Sequence, residues 1–144
     1  MPVRLVIPRQ LYDEMLAQAQ AELPNECCGF LAGTRSESEW RVSRRYPLIN
    51  KAASPSEYFA EEHSLFQAHR DMDRQSLELL AIYHSHPTTE PIPSRKDREL
   101  NYHGEVVHLI ISLKGKEPEM RGWRLTENDY SEADWECMED EASS

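Results

Sequence analysis

The chain is predicted to fold as a single α/β domain, a mixed β-sheet flanked by helices. Segments with a period of two alternate with segments at helical spacing from one end to the other. The apolar runs are short and bounded by Pro, Gly or polar turns, with no internal repeat and no inter-domain linker. A length of 144 residues suits one domain able to bury a core.

Val3 to Ile7 reads as a first strand. Pro8 opens a helix running to about Leu23, with Leu11, Tyr12, Met15, Leu16, Ala19 and Leu23 as its buried stripe. Pro24-Asn25 breaks it, and Glu26 to Ala32 follows as a strand ending at Gly33. After a polar turn over Thr34 to Glu39, Trp40, Val42, Arg44, Tyr46 and Leu48 alternate with Arg41, Ser43 and Arg45, which predicts the second strand of a hairpin. Asn50 to Pro55 is a loop. His63 to Asp73 is a helix with Leu65, Phe66, His69 and Met72 on one face. Leu77 to Tyr83 is so apolar that a central strand is expected. Thr88 to Pro93 is a loop stiffened by two prolines, and Ser94 to about His103 is a short helix stopped by Gly104. Val106 to Leu113 and Met120 to Leu125 complete the predicted strands. The domain is expected to span residues 1–126, with 127–144 an acidic, solvated and partly frayed tail.

Composition narrows the function. A formal net charge of −10 disfavours non-specific nucleic-acid binding. No apolar run is long enough for a membrane helix, and Met1-Pro2-Val3-Arg4 does not open a signal peptide, so the cytoplasm is the expected location. Three cysteines, two of them adjacent, make no disulfide framework, and at least one is expected as a small buried side chain.

The chemistry concentrates in His84-Ser85-His86-Pro87, followed by Ser94 and Asp97. His84 and His86 can face one side of a strand, and a carboxylate further on can complete three ligands for one divalent metal. Catalytic zinc sites keep three protein ligands and leave a position for water. Glu26 stands upstream as a group able to activate that water. Each piece has a plainer reading: His-x-His as surface histidines, and Ser94-Arg95-Lys96-Asp97 as a helix capping box. The ordered combination of all of them favours a metal site. His63, His69, His103 and His108 lack ligand spacing, and Trp40, Trp123 and Trp135 read as packing residues.

The pattern of a glutamate, H-[ST]-H-P, six residues and S-x-x-D resembles that of the JAMM, or MPN-plus, zinc metallopeptidases. Glu26-Cys27-Cys28-Gly29-Phe30-Leu31-Ala32-Gly33 and Pro47 to Pro55 further resemble the small bacterial members that act on ubiquitin-like sulfur carriers, the CysO-cysteine peptidase type. The resemblance extends to about Leu125. It implies a JAMM fold related to cytidine deaminases and one Zn2+ per chain on His84, His86 and Asp97. It makes Glu26 the general base and then acid, and Ser94 the oxyanion donor. Ser85 and Tyr58 are candidate substrate contacts. The implied partner is a ubiquitin-like sulfur carrier with a Gly-Gly tail, cleaved to release cysteine or a short extension; neither nucleic acid nor membrane is an expected partner. Two other readings stand beside it: a non-catalytic scaffold of the same fold, and a RadC-like DNA-repair-associated protein. A zinc deaminase would need H-x-E and P-C-x-x-C, and neither occurs.

Overall fold

A computed structural model describes residues 4–99, 105–126 and 129–139, which form one mixed sheet with helices on both faces. In chain order the elements are β1 (Arg4–Pro8), α1 (Arg9–Ala21), β2 (Cys28–Arg35), β3 (Glu39–Leu48), α2 (Glu62–Gln75), β4 (Glu78–His86), α3 (Arg95–Glu99), β5 (Val107–Ser112), β6 (Glu119–Leu125), β7 (Tyr130–Ala133) and β8 (Trp135–Met138). The strand order is β7-β6-β5-β4-β2-β3-β1-β8. β4 is central, as its apolar sequence predicts, between antiparallel β2 and parallel β5.

The two larger cores lie on opposite faces of the sheet, and a smaller cluster gathers Ile110, Trp123 and Leu125. Leu5, Ile7, Met15, Ala19, Tyr83 and Leu109 belong to the α1 side. Phe30, Leu48, Ala68, Met72 and Ile82 belong to the α2 side. Tyr83 and Ile82 divide between them because successive strand residues point to opposite faces. The same alternation sends His84 and His86 to the α2 side.

Gly29 is paired with Tyr83, and a Cβ at Gly29 would collide with the tyrosine ring. The ring crosses the glycine so that its hydroxyl can meet Gln18 and Arg45. The glycine of the Glu-Cys-Cys-Gly segment thus sets how closely β2 and β4 pack, one residue before the first histidine of the motif.

Four sequence expectations need correction. The alternation in β3 changes face midway, because the β2–β3 register skips Ser43. Trp40 and Val42 pack on the α1 side, whereas Tyr46 and Leu48 pack on the α2 side. Leu23 lies past the end of α1 and is 46% exposed rather than in its stripe. Phe66 is 62% exposed; the buried positions of α2 are Ala68 and Met72, flanked by Leu65. Of the acidic segment after residue 126, the described residues 129–139 are no solvated appendage. They supply β7 and β8, the two edges of the sheet, and β8 runs parallel to β1. Their acids sit on the outer positions while Ala133 is buried and Trp135 packs on the core, a pattern that charge counting overlooks. Val3, Gly104 and the end of the helix predicted to reach His103 fall outside the described residues.

Candidate metal centre

The C-terminal end of β4 delivers the two histidines. Backbone pairing with β2 and β5 fixes His84 opposite Cys28 and Ile110, and His86 opposite Ser112. Both are buried. Ser85, between them, faces away: its Oγ accepts from the Cys27 N–H at 2.8 Å, and its own N–H donates to the Cys27 carbonyl at 3.1 Å. With no exposure at all, Ser85 has no surface to offer a substrate. Its hydrogen bonds to Cys27 support the histidine segment instead.

Asp97 arrives from the first turn of α3. Its Oδ1 lies 3.1 Å from His84 Nε2 and its Oδ2 3.2 Å from His86 Nε2, while the two Nε2 atoms are 3.2 Å apart. The capping box is also present: the Asp97 N–H donates to Ser94 Oγ at 3.1 Å, and the Ser94 N–H donates to Asp97 Oδ2 at 2.8 Å. The plain and the chemical readings of Ser-x-x-Asp therefore coincide, since the cap aims the carboxylate at the histidines. A hydroxyl that accepts this bond can still donate its proton.

These three side chains suit a divalent cation. The nitrogen His86 Nδ1 lies 2.8 Å from the Glu90 carbonyl, which can only accept, so Nδ1 carries the proton and Nε2 of the neutral ring presents a lone pair. Two imidazoles and a carboxylate then converge acceptors on one point, with all the donor atoms within 4.8 Å of one another. Converging acceptors repel unless a proton or a cation lies between them. Burial alone would raise Asp97, but His84, His86 and the Ser94 N–H hold its carboxyl well below the usual carboxylate range. Burial works against protonation of His86, and Asp97, the Glu90 carbonyl and Glu26 together more than offset it, so that its pKa is raised.

Glu26 is set beside this cluster by its backbone. Its N–H donates to the Ser54 carbonyl at 2.8 Å, and its carbonyl accepts from Asn50 Nδ2 at 3.0 Å. The side chain is 3% exposed, and Oε1 is buried with no hydrogen-bond partner among the described residues. Burial pushes the carboxyl up to about 8; His86 and Lys96 oppose the shift, and Asp97 and Glu57 add to it. A buried carboxyl with an unsatisfied oxygen is costly to keep, and such a group close to a ligand cluster is suited to carry a proton.

Tyr58 stacks on the His84 imidazole, ring centroids 4.7 Å apart and planes at 28°. It therefore walls the metal cluster. Glu57 and Lys96 form an ion pair at 3.0 Å that joins this loop to α3 across the site. An open groove of about 470 Å³ borders the cluster, lined by His86 and Ser94 together with Thr88, Thr89, Glu90, Ile92 and Lys114.

Sequence reasoning passed over Asn50. Its amide donates to the carbonyls of Glu26 and Glu57 and accepts from the N–H groups of Ala52 and Phe59. One side chain thus fixes both the Glu26 backbone and the Tyr58 loop. An Asn after a strand signals a turn, but nothing local reveals a bond to residue 26. Asn50→Ala leaves several backbone groups unpaired and is expected to cost about 2–4 kcal/mol. The check is a lowered denaturation midpoint at unchanged m-value; an unaltered midpoint would contradict this role.

His69, His108 and the three tryptophans fit the plainer readings. His69 sits edge-on to Phe30, His108 is buried in β5, Trp40 and Trp123 are buried and Trp135 packs against the core. His103 lies outside the described residues. Cys27 and Cys28 are both buried in the two cores, which pushes each thiol up to about 12.

Comparison with known proteins places this geometry among relatives. Residues 8–126 match the family described as prokaryotic homologs of the JAB domain. The chain is 32% identical over 129 residues to the CysO-cysteine peptidase of Mycobacterium tuberculosis, covering 89% of this chain and 87% of that protein. It is 33% identical over 123 residues to the desampylase of Pyrococcus furiosus, covering 85% and 82%. A protein of Desulfitobacterium hafniense solved in solution superimposes with a TM-score of 0.85 at 31% identity, covering 94% of each chain.

Proposed function

Because this chain belongs to the family of prokaryotic homologs of the JAB domain, we propose that its His84-His86-Asp97 cluster is a zinc-dependent centre that removes a C-terminal adduct from a ubiquitin-like sulfur carrier. The chain is a JAMM-type hydrolase, and its named relatives are peptidases and desampylases. The observation that carries the proposal is the convergence of two imidazole nitrogens and one carboxylate beside a buried glutamate with an unsatisfied oxygen.

His84, His86 and Asp97 would hold one Zn2+ per chain. The ion, when bound, supplies Lewis acidity that lowers the pKa of a water and polarises a carbonyl. Glu26 accepts a proton from the attacking water at its carboxylate and passes it to the leaving amine nitrogen. Ser94 donates its hydroxyl proton to the oxygen that gains charge as the carbonyl becomes tetrahedral. Tyr58 holds the plane of His84.

The carrier's tail would end Gly-Gly, and residues without side chains pass most easily between the Tyr58 loop and α3. Recognition would need the folded body too, because a flexible peptide loses more freedom on binding and buries less surface. A net charge of −10 argues against nucleic acid as the partner. No helix among the described residues is long and apolar enough to cross a membrane. The proposed location is the cytoplasm, a reducing compartment that suits free thiols at Cys27, Cys28 and Cys137.

The test is mass spectrometry of a Gly-Gly-ending carrier bearing a C-terminal cysteine, incubated with the zinc-loaded protein. Loss of the extension, stopped by chelator, is the expected result. Free peptides cut as fast as the intact adduct would make the protein a general peptidase.

A further inference from the structure

We infer that Tyr130 of β7 is a positioning residue for the metal site: through Arg98 it docks α3 on the sheet and so holds Asp97 at the two histidines. The inference rests on the metal reading above and adds to it a residue beyond the matched segment 8–126.

The three ligands differ in how they are held. His84 and His86 are fixed by a central strand with partners on both sides. Asp97 sits on α3, a helix of five residues, and a single helical turn has little stability of its own. The capping bonds with Ser94 shape that turn, but they lie within the same segment and do not attach it to the sheet. The Glu57–Lys96 pair joins two half-exposed side chains and contributes little. The approach of Asp97 to the imidazoles is attractive only when a proton or a cation lies between them.

Further ties run from this segment to β6 and β7. Trp123 Nε1 donates to the Pro91 carbonyl at 2.8 Å, and Ile92 packs on the cluster of Ile110, Trp123 and Leu125. These two contacts hold the approach to α3. On α3 itself, one residue past Asp97, the guanidinium carbon of Arg98 lies 5.7 Å from the Tyr130 ring centroid, within the range of a cation–π contact. Arg98 Nε is buried with no hydrogen-bond partner among the described residues. Such a group is costly to bury, and an aromatic face beside the guanidinium offsets part of that cost. Tyr130 is itself braced edge-on against Trp123, centroids 5.2 Å apart and planes at 86°, and its backbone pairs with Leu125. Removing the Tyr130 ring therefore loosens α3 while leaving the strand that carries the histidines intact.

Zinc affinity of the full chain is measured by competition with a chromophoric chelator, and cobalt substitution records the visible spectrum of the site. Tyr130→Leu and Arg98→Met are each expected to weaken zinc binding about tenfold, the low end for groups that orient a metal ligand, and to alter the cobalt spectrum. Tyr130→Phe keeps the ring and should bind as the wild type does. Trp135→Leu is the folding control: Trp135 packs on the α1 side of the sheet, so its loss should lower the melting temperature without changing zinc affinity. In an Asp97→Ala background, Tyr130→Leu should have no further effect on zinc affinity, since the group it positions is gone. Wild-type affinity in both Tyr130→Leu and Arg98→Met overturns the inference. So does an equal weakening by Tyr130→Leu with and without Asp97, or by Trp135→Leu. If Tyr130→Leu does not fold, Arg98→Met decides by the same criteria. Wild-type zinc affinity in Asp97→Ala removes the metal reading and the inference together. Weakening by Asp97→Ala alone removes only the inference.

Discussion

Glu26→Gln is expected to keep the fold and the ligand cluster while losing at least about a hundredfold of hydrolysis, the lower end of general acid–base catalysis. Glutamine preserves the shape of a side chain that is 3% exposed, yet it cannot take a proton from water. The same substitution carries its own folding control. Burial raises the Glu26 carboxyl to about 8 from the ordinary 4.5, so the folded chain holds this proton more tightly than the unfolded chain. The stability this confers is complete below the unfolded value and is lost as pH rises through about 8. In chelated protein, Glu26→Gln should therefore melt above the wild type, by a margin that widens from pH 5 to pH 9 (about the interval over which the two states differ in proton binding). Initial rates on the carrier adduct and melting curves at several pH values measure the two effects. Undiminished turnover would mean that another group is the base.

Much of the site was legible because its chemistry is compact in sequence. His84 and His86 sit two apart on one strand face, and the Ser-x-x-Asp cap that starts α3 also orients Asp97. Strand alternation could put the two histidines on one face, whereas Asp97 as a third ligand came from the wider family pattern, which its spacing permits. Glu26 was legible only through the wider pattern, since its position depends on contacts with Ser54 and Asn50 that no local rule supplies. Asn50 and the Glu57–Lys96 ion pair were missed for the same reason: each joins segments that are remote in sequence.

The fold failed to be legible where tertiary packing overrode a simple period. The bulge at Ser43 moved half of β3 to the other face. Phe66 satisfied a helical stripe but stands about one residue's rotation outside the arc that α2 buries. The acidic C-terminal segment read as solvated because its charges outnumber its apolar residues, although a strand needs only one buried face. In each case the elements were recognisable and their facing was not.

Replacing His84, His86 and Asp97 together by alanine is expected to abolish metal binding, and chelation of the wild type to abolish hydrolysis, because no other group of metal-ligating side chains converges among the described residues. The most direct measurement is X-ray absorption at the zinc edge of the zinc-loaded protein. The account predicts only light ligands, nitrogen and oxygen at about 2.0–2.2 Å, from two imidazoles, one carboxylate and water. It further predicts that this signal disappears in the triple variant. Sulfur at about 2.3 Å, which would implicate Cys27 or Cys28, or a spectrum unchanged by the triple substitution, would contradict it.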